Sequence, residues 1–200
     1  MIEATLTSDR GVVARATSQW VAHRPTEAPR SPEVVPARPD EAAELGDAAN
    51  FAYPRPGFNC DAVETRPLSG TTETAGPGSI WLRLRTSVVA SEPTSSLLSL
   101  MTLSDLGAAV GWDRSPSGAA FINADVTLQI NRYPVGPWVL MDSRVHASHH
   151  GIGFMETVVS DDTGPLGRVL QTLVETPEPP PGGPTAPTVP QRLLEGQLEP

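Results

Sequence analysis

The sequence predicts an α+β protein in which one antiparallel sheet curves around a single long helix. Three observations predict it. Ser79 to Val89 sets Ile80, Leu82 and Leu84 against Trp81, Arg83 and Arg85, the alternation of a half-buried strand. The next segment carries Leu97, Leu100, Met101, Asp105, Ala108, Ala109 and Trp112 along one helical face. Four strand-like runs then follow at short intervals, Ala120 to Arg132, Pro137 to Ser148, Ile152 to Ser160 and Leu166 to Glu175. Strands, one helix and then a four-stranded meander pack as two layers about one core.

Each element has a local reason. Ile2 to Thr7 alternates, Ser8 to Gly11 reads as a turn, and Val12 to His23 runs extended, so residues 1–24 predict a β-hairpin. An isolated hairpin is marginal in water. This one is therefore expected either to pack on the later domain or to end a domain whose beginning is missing. Of 22 prolines, eight lie between Pro25 and Pro67 and eight between Pro177 and Pro200. Residues 25–60 accordingly predict a linker and 176–200 a disordered tail, because closely spaced prolines forbid continuous helix or sheet. Within 61–175, Ala62 to Arg66 is a short strand, and a Gly/Thr-rich loop runs to Gly78. Pro93 is placed for the first turn of the helix, and Gly111 ends it. Tyr133 to Gly136, His149 to Gly151 and Asp161 to Gly164 supply the turns between the later strands.

Charge excludes several classes of partner. All 14 basic residues are Arg, against 23 acidic ones, for a net charge of −9. Nucleic acid and anionic membrane are excluded as main partners, since phosphate binding requires a basic patch and none is clustered here. No segment approaches the ~18 consecutive apolar residues of a membrane span. The start lacks the basic-then-apolar order of a secretion signal, so a cytoplasmic protein is expected. Cys60 is the only cysteine, which rules out an intrachain disulfide framework and a cysteine-based zinc site.

Three residues stand out as candidates for chemistry. Asp105 follows Met101 by four residues and precedes Ala109 by four, placing a carboxylate within the expected buried face. Such a carboxylate has partners or a task, unless it sits at the helix edge and reaches solvent. Gln171 shares a strand face with Val169 and Leu173, as a structural amide or a functional one. Asn123 lies near the start of the strand after the helix, where its side chain can meet Asp105. On that strand Val126, Leu128 and Ile130 mark one face, with Asn123, Asp125, Thr127 and Gln129 on the other. His146, His149 and His150 lack supporting acids at ligand spacing, so no metal and no cofactor is expected.

The segments Pro77 to Arg85, Leu103-Ser104-Asp105, Phe121 to Arg132, Gly136-Pro137-Trp138, Asp142-Ser143-Arg144, Gly151-Ile152-Gly153 and Gly164 to Thr172 resemble, in order and spacing, the C-terminal hotdog of acyl-CoA thioesterase II-like (TesB-like) proteins. The resemblance spans residues 61–175. It implies a hotdog fold, a curved antiparallel sheet around a long central helix, in a family where two hotdogs share one chain. The hairpin 1–24 then resembles the last two strands of an N-terminal hotdog, the rest of which is truncated.

The resemblance further implies hydrolysis of acyl-CoA to fatty acid and CoA, with Asp105, Asn123 and Gln171 around the attacking water. Asn123 stands where well-known members carry a hydroxyl, and an amide can likewise donate and accept. It implies an acyl groove beside Leu97, Met101 and Val126, and leaves Arg83, Arg85 or Arg132 to meet CoA phosphates. The non-catalytic alternative is an inactive acyl-binding or interaction module. A hydratase would need a His on or facing the helix, and none stands there. A free sheet edge and exposed apolar surface predict a homodimer.

Overall fold

The computed structural model describes residues 1–22, 24, 38–40, 57–70, 76–110, 120–147 and 150–176. Most of the expected linker, the proline-rich tail, Trp112 and His149 lie outside these residues, as does the Cys60 side chain. The chain forms two compact units, Met1–Pro32 and Glu33–Pro200. In the first, β1 (Ile2–Ser8) pairs antiparallel with β2 (Gly11–Ser18), as the alternation predicts. Gly11 takes a positive φ in the turn, which an L side chain would resist.

The second unit is a seven-stranded antiparallel sheet wrapped on one broken helix. A short helix α1 (Phe58–Asp61) leads into β3 (Val63–Ser69) and β4 (Gly78–Leu84). Helix α2 (Ser96–Leu103) follows, then a 3-10 turn (Ser104–Leu106) and α3 (Gly107–Val110). The remaining strands are β5 (Ala120–Asn123), β6 (Thr127–Ile130), β7 (Val139–Ala147), β8 (Ile152–Asp161) and β9 (Gly164–Thr176). Their order is β3-β4-β7-β8-β9-β5, with β6 also on β9.

The core explains the wrap. Leu100, Leu103, Leu106 and Val110 enter a cluster with Val63, Ile80, Leu82, Val139, Met141, Val159, Leu166 and Val169. Each buried Leu contributes about 1.5–3 kcal/mol relative to an exposed one. Gly78 lets the helix approach the sheet, because a Cβ there would overlap the Val110 carbonyl. On the other face of β4, Trp81 packs with Trp138, Leu140 and Leu68. The guanidinium carbons of Arg66 and Arg83 lie 4.8 and 4.7 Å from the centre of the Trp138 ring.

The structure corrects four expectations. The helix starts later, with Ser95 as its cap accepting from Leu98 N, so Pro93 precedes it. Its buried stripe runs through Leu100, Leu103, Leu106 and Val110, whereas Met101 and Asp105 are exposed and Leu97 is half-buried. Apolar residues stand on more than one face of this segment, which therefore admits two; the chosen one leaves the carboxylate in water. The predicted strand 120–132 breaks at Ala124 to Val126, where Asp125 Oδ1 accepts from Thr172 N at 2.8 Å. That break shifts the side-chain phase, which puts Asn123 toward the helix while Leu128 and Ile130 still pack on the core. Finally, only β7, β8 and β9 form a meander, for β5 and β6 pair with β9 rather than with their next neighbour β7.

Candidate active site

The site begins with a local competition inside the helix. Ser104 Oγ donates to the Met101 carbonyl at 2.8 Å, and side-chain bonds of this kind bend helices. The chain tightens there into the 3-10 turn that carries Asp105. On the sheet side, the pairing of β8 with β9 sets Met155 opposite Gln171, and β5 pairs with β9 through Asn123 and Leu173. Asn123 and Gln171 therefore converge on the turn from one strand pair.

All three residues singled out in the sequence meet. Asn123 Nδ2 donates to Asp105 Oδ1 at 2.9 Å and to its main-chain carbonyl at 3.2 Å. Gln171 Nε2 donates to the same carbonyl at 3.1 Å and to Oδ1 at 3.4 Å. Two amides thus grip one aspartate by backbone and side chain together. Gln171 is 1% exposed, Asn123 half-buried and Asp105 exposed, so the expectation of a buried carboxylate is corrected. Asn123 Oδ1 and Gln171 Oε1 are buried acceptors without a hydrogen-bond partner among the described residues. An exposed carboxylate pinned by two amides is suited to accepting a hydrogen bond from a small hydroxylic molecule.

Three neighbours carried no signal strong enough to single them out in the sequence. Ser143 and Thr157 sit opposite each other on β7 and β8, fully buried, with their hydroxyl oxygens 2.8 Å apart. Their only trace is a polar residue at an inward position, Thr157 between Met155 and Val159. Gly107 lies over them. A Cβ there would stand 2.6 Å from Thr157 Oγ1 and 2.9 Å from Gln171 Oε1, so the helix passes closely enough to admit only glycine without a shift.

The arginines divide. Arg132 binds the fully buried Asp161 with both terminal nitrogens, at 2.6 and 2.8 Å, and also donates to the Gly164 carbonyl. It is committed to the fold and is withdrawn as a phosphate contact. Arg83 pairs with Glu64, and Arg85 is exposed. Desolvation works to raise the Glu64 pKa, and the hydrogen bonds and charges of Arg83 and Arg66 outweigh it, leaving it lowered. Desolvation likewise opposes ionisation of Asp161, but Arg132, Thr163 and two backbone N–H groups hold its carboxyl far below the usual range. His146 stacks on Phe154 with ring centres 4.5 Å apart. Among the described residues, no three His, Cys, Asp or Glu side chains are grouped to hold a metal ion, and no helix is long and apolar enough to cross a membrane.

A model of the acyl-CoA thioesterase C-terminal domain matches residues 25–174. The chain belongs to this family. Solved structures share the hotdog fold of this thioesterase-family domain. A hotdog protein of unknown function from Alicyclobacillus acidocaldarius is 17% identical with a TM-score of 0.57, covering 88% of this chain and 67% of its own. The tesB protein of Mycobacterium avium subs paratuberculosis is 14% identical with a TM-score of 0.51, covering 88% of this chain and 65% of its own. The chain thus spans about two thirds of the length of either. A search of curated proteins found no match.

Proposed function

We propose that this thioesterase-family domain hydrolyses acyl-CoA to free fatty acid and CoA. The observation that carries the reading is the double grip of Asn123 and Gln171 on Asp105. In the proposed reaction Asp105 takes a proton from a water held beside the two amides. The water oxygen bonds the thioester carbonyl carbon, the carbon–sulfur bond then breaks, and the proton held by Asp105 passes to the departing thiolate, which leaves as CoA. General base catalysis of this kind contributes roughly 10²–10⁴-fold, and holding the water in line adds to it. Leu97, Met101 and Val126 offer apolar surface for the acyl chain, and the exposed Arg85 is the arginine left to meet CoA phosphates.

The exposure of Asp105, with Met101 54% exposed four residues earlier, favours a companion surface over the site. We propose a second copy of the chain in that place, giving a homodimer, with the hairpin of residues 1–24 as part of a second hotdog. The same openness is the observation behind the second reading, a non-catalytic acyl-binding module. One experiment separates them: release of free CoA from short, medium and long acyl-CoAs by the purified chain, beside Asp105→Ala. Hydrolysis lost in the variant supports the enzyme; rates equal in both leave only the binding module. Sedimentation that finds a monodisperse monomer at high concentration would sink the homodimer.

A further inference from the structure

We propose that Asp125 is a positioning residue, whose carboxylate stands in for a main-chain carbonyl and so sets Asn123 and Gln171 on Asp105. The inference rests on the thioesterase reading of that site. Asn123 pairs with Leu173 and Thr127 with Leu170, so three residues between β5 and β6 oppose two of β9, Gln171 and Thr172. That is a bulge of one extra residue. In a regular antiparallel ladder, the residue that donates to the Thr172 carbonyl would also accept from Thr172 N. Here Ala124 N donates to that carbonyl at 2.8 Å, while Thr172 N donates instead to Asp125 Oδ1 at 2.8 Å. A side chain closes the ladder where the backbone leaves it open.

The bulge decides which way Asn123 faces. Asn123 and Leu128 are five positions apart, and in an unbroken strand they would stand on opposite faces. The extra residue turns both inward, Asn123 Nδ2 onto Asp105, and Leu128 with Ile130 against the core. Without it, either the apolar pair or Asn123 must turn outward. Leu128 and Ile130 pack on the core, whereas Phe121 is half-buried and Ile122 exposed, so β5 is the weaker end and Asn123 the residue that yields. The same bond acts on Gln171, because Thr172 N belongs to the peptide unit that follows it. Asp125 thus joins the two stretches of backbone that carry the amides holding Asp105. The task needs an acceptor at Oδ1 and no negative charge, which distinguishes it from that of a second general base.

The test is Asp125→Ala, which removes the acceptor, beside Asp125→Asn, which keeps an oxygen and removes the charge. By NMR, the side-chain amide signals of Asn123 and Gln171, identified by their loss in Asn123→Ala and Gln171→Ala, should shift in D125A and return to their wild-type positions in D125N. On acyl-CoA, kcat should fall about 10- to 100-fold in D125A with KM within about twofold, and recover to within about threefold of wild type in D125N. A wild-type kcat in D125A, or a D125N no faster than D125A, overturns the proposal, as do amide signals unmoved in folded D125A. Absence of hydrolysis by the wild type defeats the thioesterase reading instead, while the amide signals still decide whether Asp125 sets the two side chains. Should D125A not fold, D125N decides alone: kcat within about threefold of wild type supports the acceptor role, and any larger fall overturns it.

Discussion

Gln171 Nε2 donates to the Asp105 carbonyl at 3.1 Å, joining the last strand to the 3-10 turn across 66 positions of sequence. That bond fixes the backbone of the turn rather than merely touching its carboxylate. The carboxylate is therefore held by main chain on one side and by Asn123 on the other, which separates its chemistry from the stability of the fold.

Asp105→Asn should follow from that separation. The side chain is exposed, so melting should move little, whereas loss of the proposed base should lower kcat for acyl-CoA by about 10²- to 10⁴-fold. Steady-state kinetics alongside thermal melting checks both halves, and a variant that melts early but keeps its rate would contradict the assignment.

Gln171→Ala should be costly in both respects. Its side chain is 1% exposed and anchors the turn, so truncation leaves a cavity and removes the donor to the Asp105 carbonyl. A loss of roughly 2–4 kcal/mol by denaturant titration is expected, together with a fall in kcat.

Gly107→Ala should strain the same place from the other side. The added methyl meets Thr157 Oγ1 at 2.6 Å, and that oxygen is tied to Ser143. Displacement of Gln171, about 1–3 kcal/mol of destabilisation and a reduced rate are expected.

Asp161 governs stability in acid. Its folded pKa lies below the ordinary 3.8, so the carboxylate stabilises the fold above that value and the contribution drains away as pH falls toward the folded pKa. Asp161→Asn should lose part of this at pH 7 and flatten the acid limb of the curve of unfolding free energy against pH. Asp161→Ala should cost more, about 2–4 kcal/mol, since Arg132 and the N–H groups of Val135 and Thr163 all lose their acceptor. Denaturant titrations between pH 3 and 7 measure both.

Leu103→Ala and Met101→Ala should differ although they are two residues apart. Leu103 is fully buried in the core and its truncation should cost about 2–5 kcal/mol, while Met101, exposed, should cost under about 0.5 kcal/mol. If Met101 forms the acyl groove, its variant should instead raise KM for longer chains.

Much of the fold was legible because alternation and turn chemistry are local. Ile80, Leu82 and Leu84 announce β4, and Asp161 to Gly164 announce the turn between β8 and β9. The same local signals carried the hairpin of residues 2–18. The helix was legible as a helix and misread as to its face. Leu97, Met101 and Asp105 satisfy the helical period as well as Leu100, Leu103 and Leu106 do, and only contact with β4, β7 and β8 chooses between them.

The sequence by itself determined that a helix with one carboxylate, followed by a sheet with one inward amide, would be built, and which residues those are. Tertiary structure alone decided that the carboxylate faces outward, that the strand after the helix breaks so Asn123 can reach it, and that β5 and β6 join β9. It alone also brought Ser143, Thr157 and Gly107 beneath Gln171. The physical reason is range. Periodicity records which side of an element is apolar, whereas a hydrogen bond between Asp105 and Gln171 depends on how a sheet curves over many residues between them, and no local pattern carries that information.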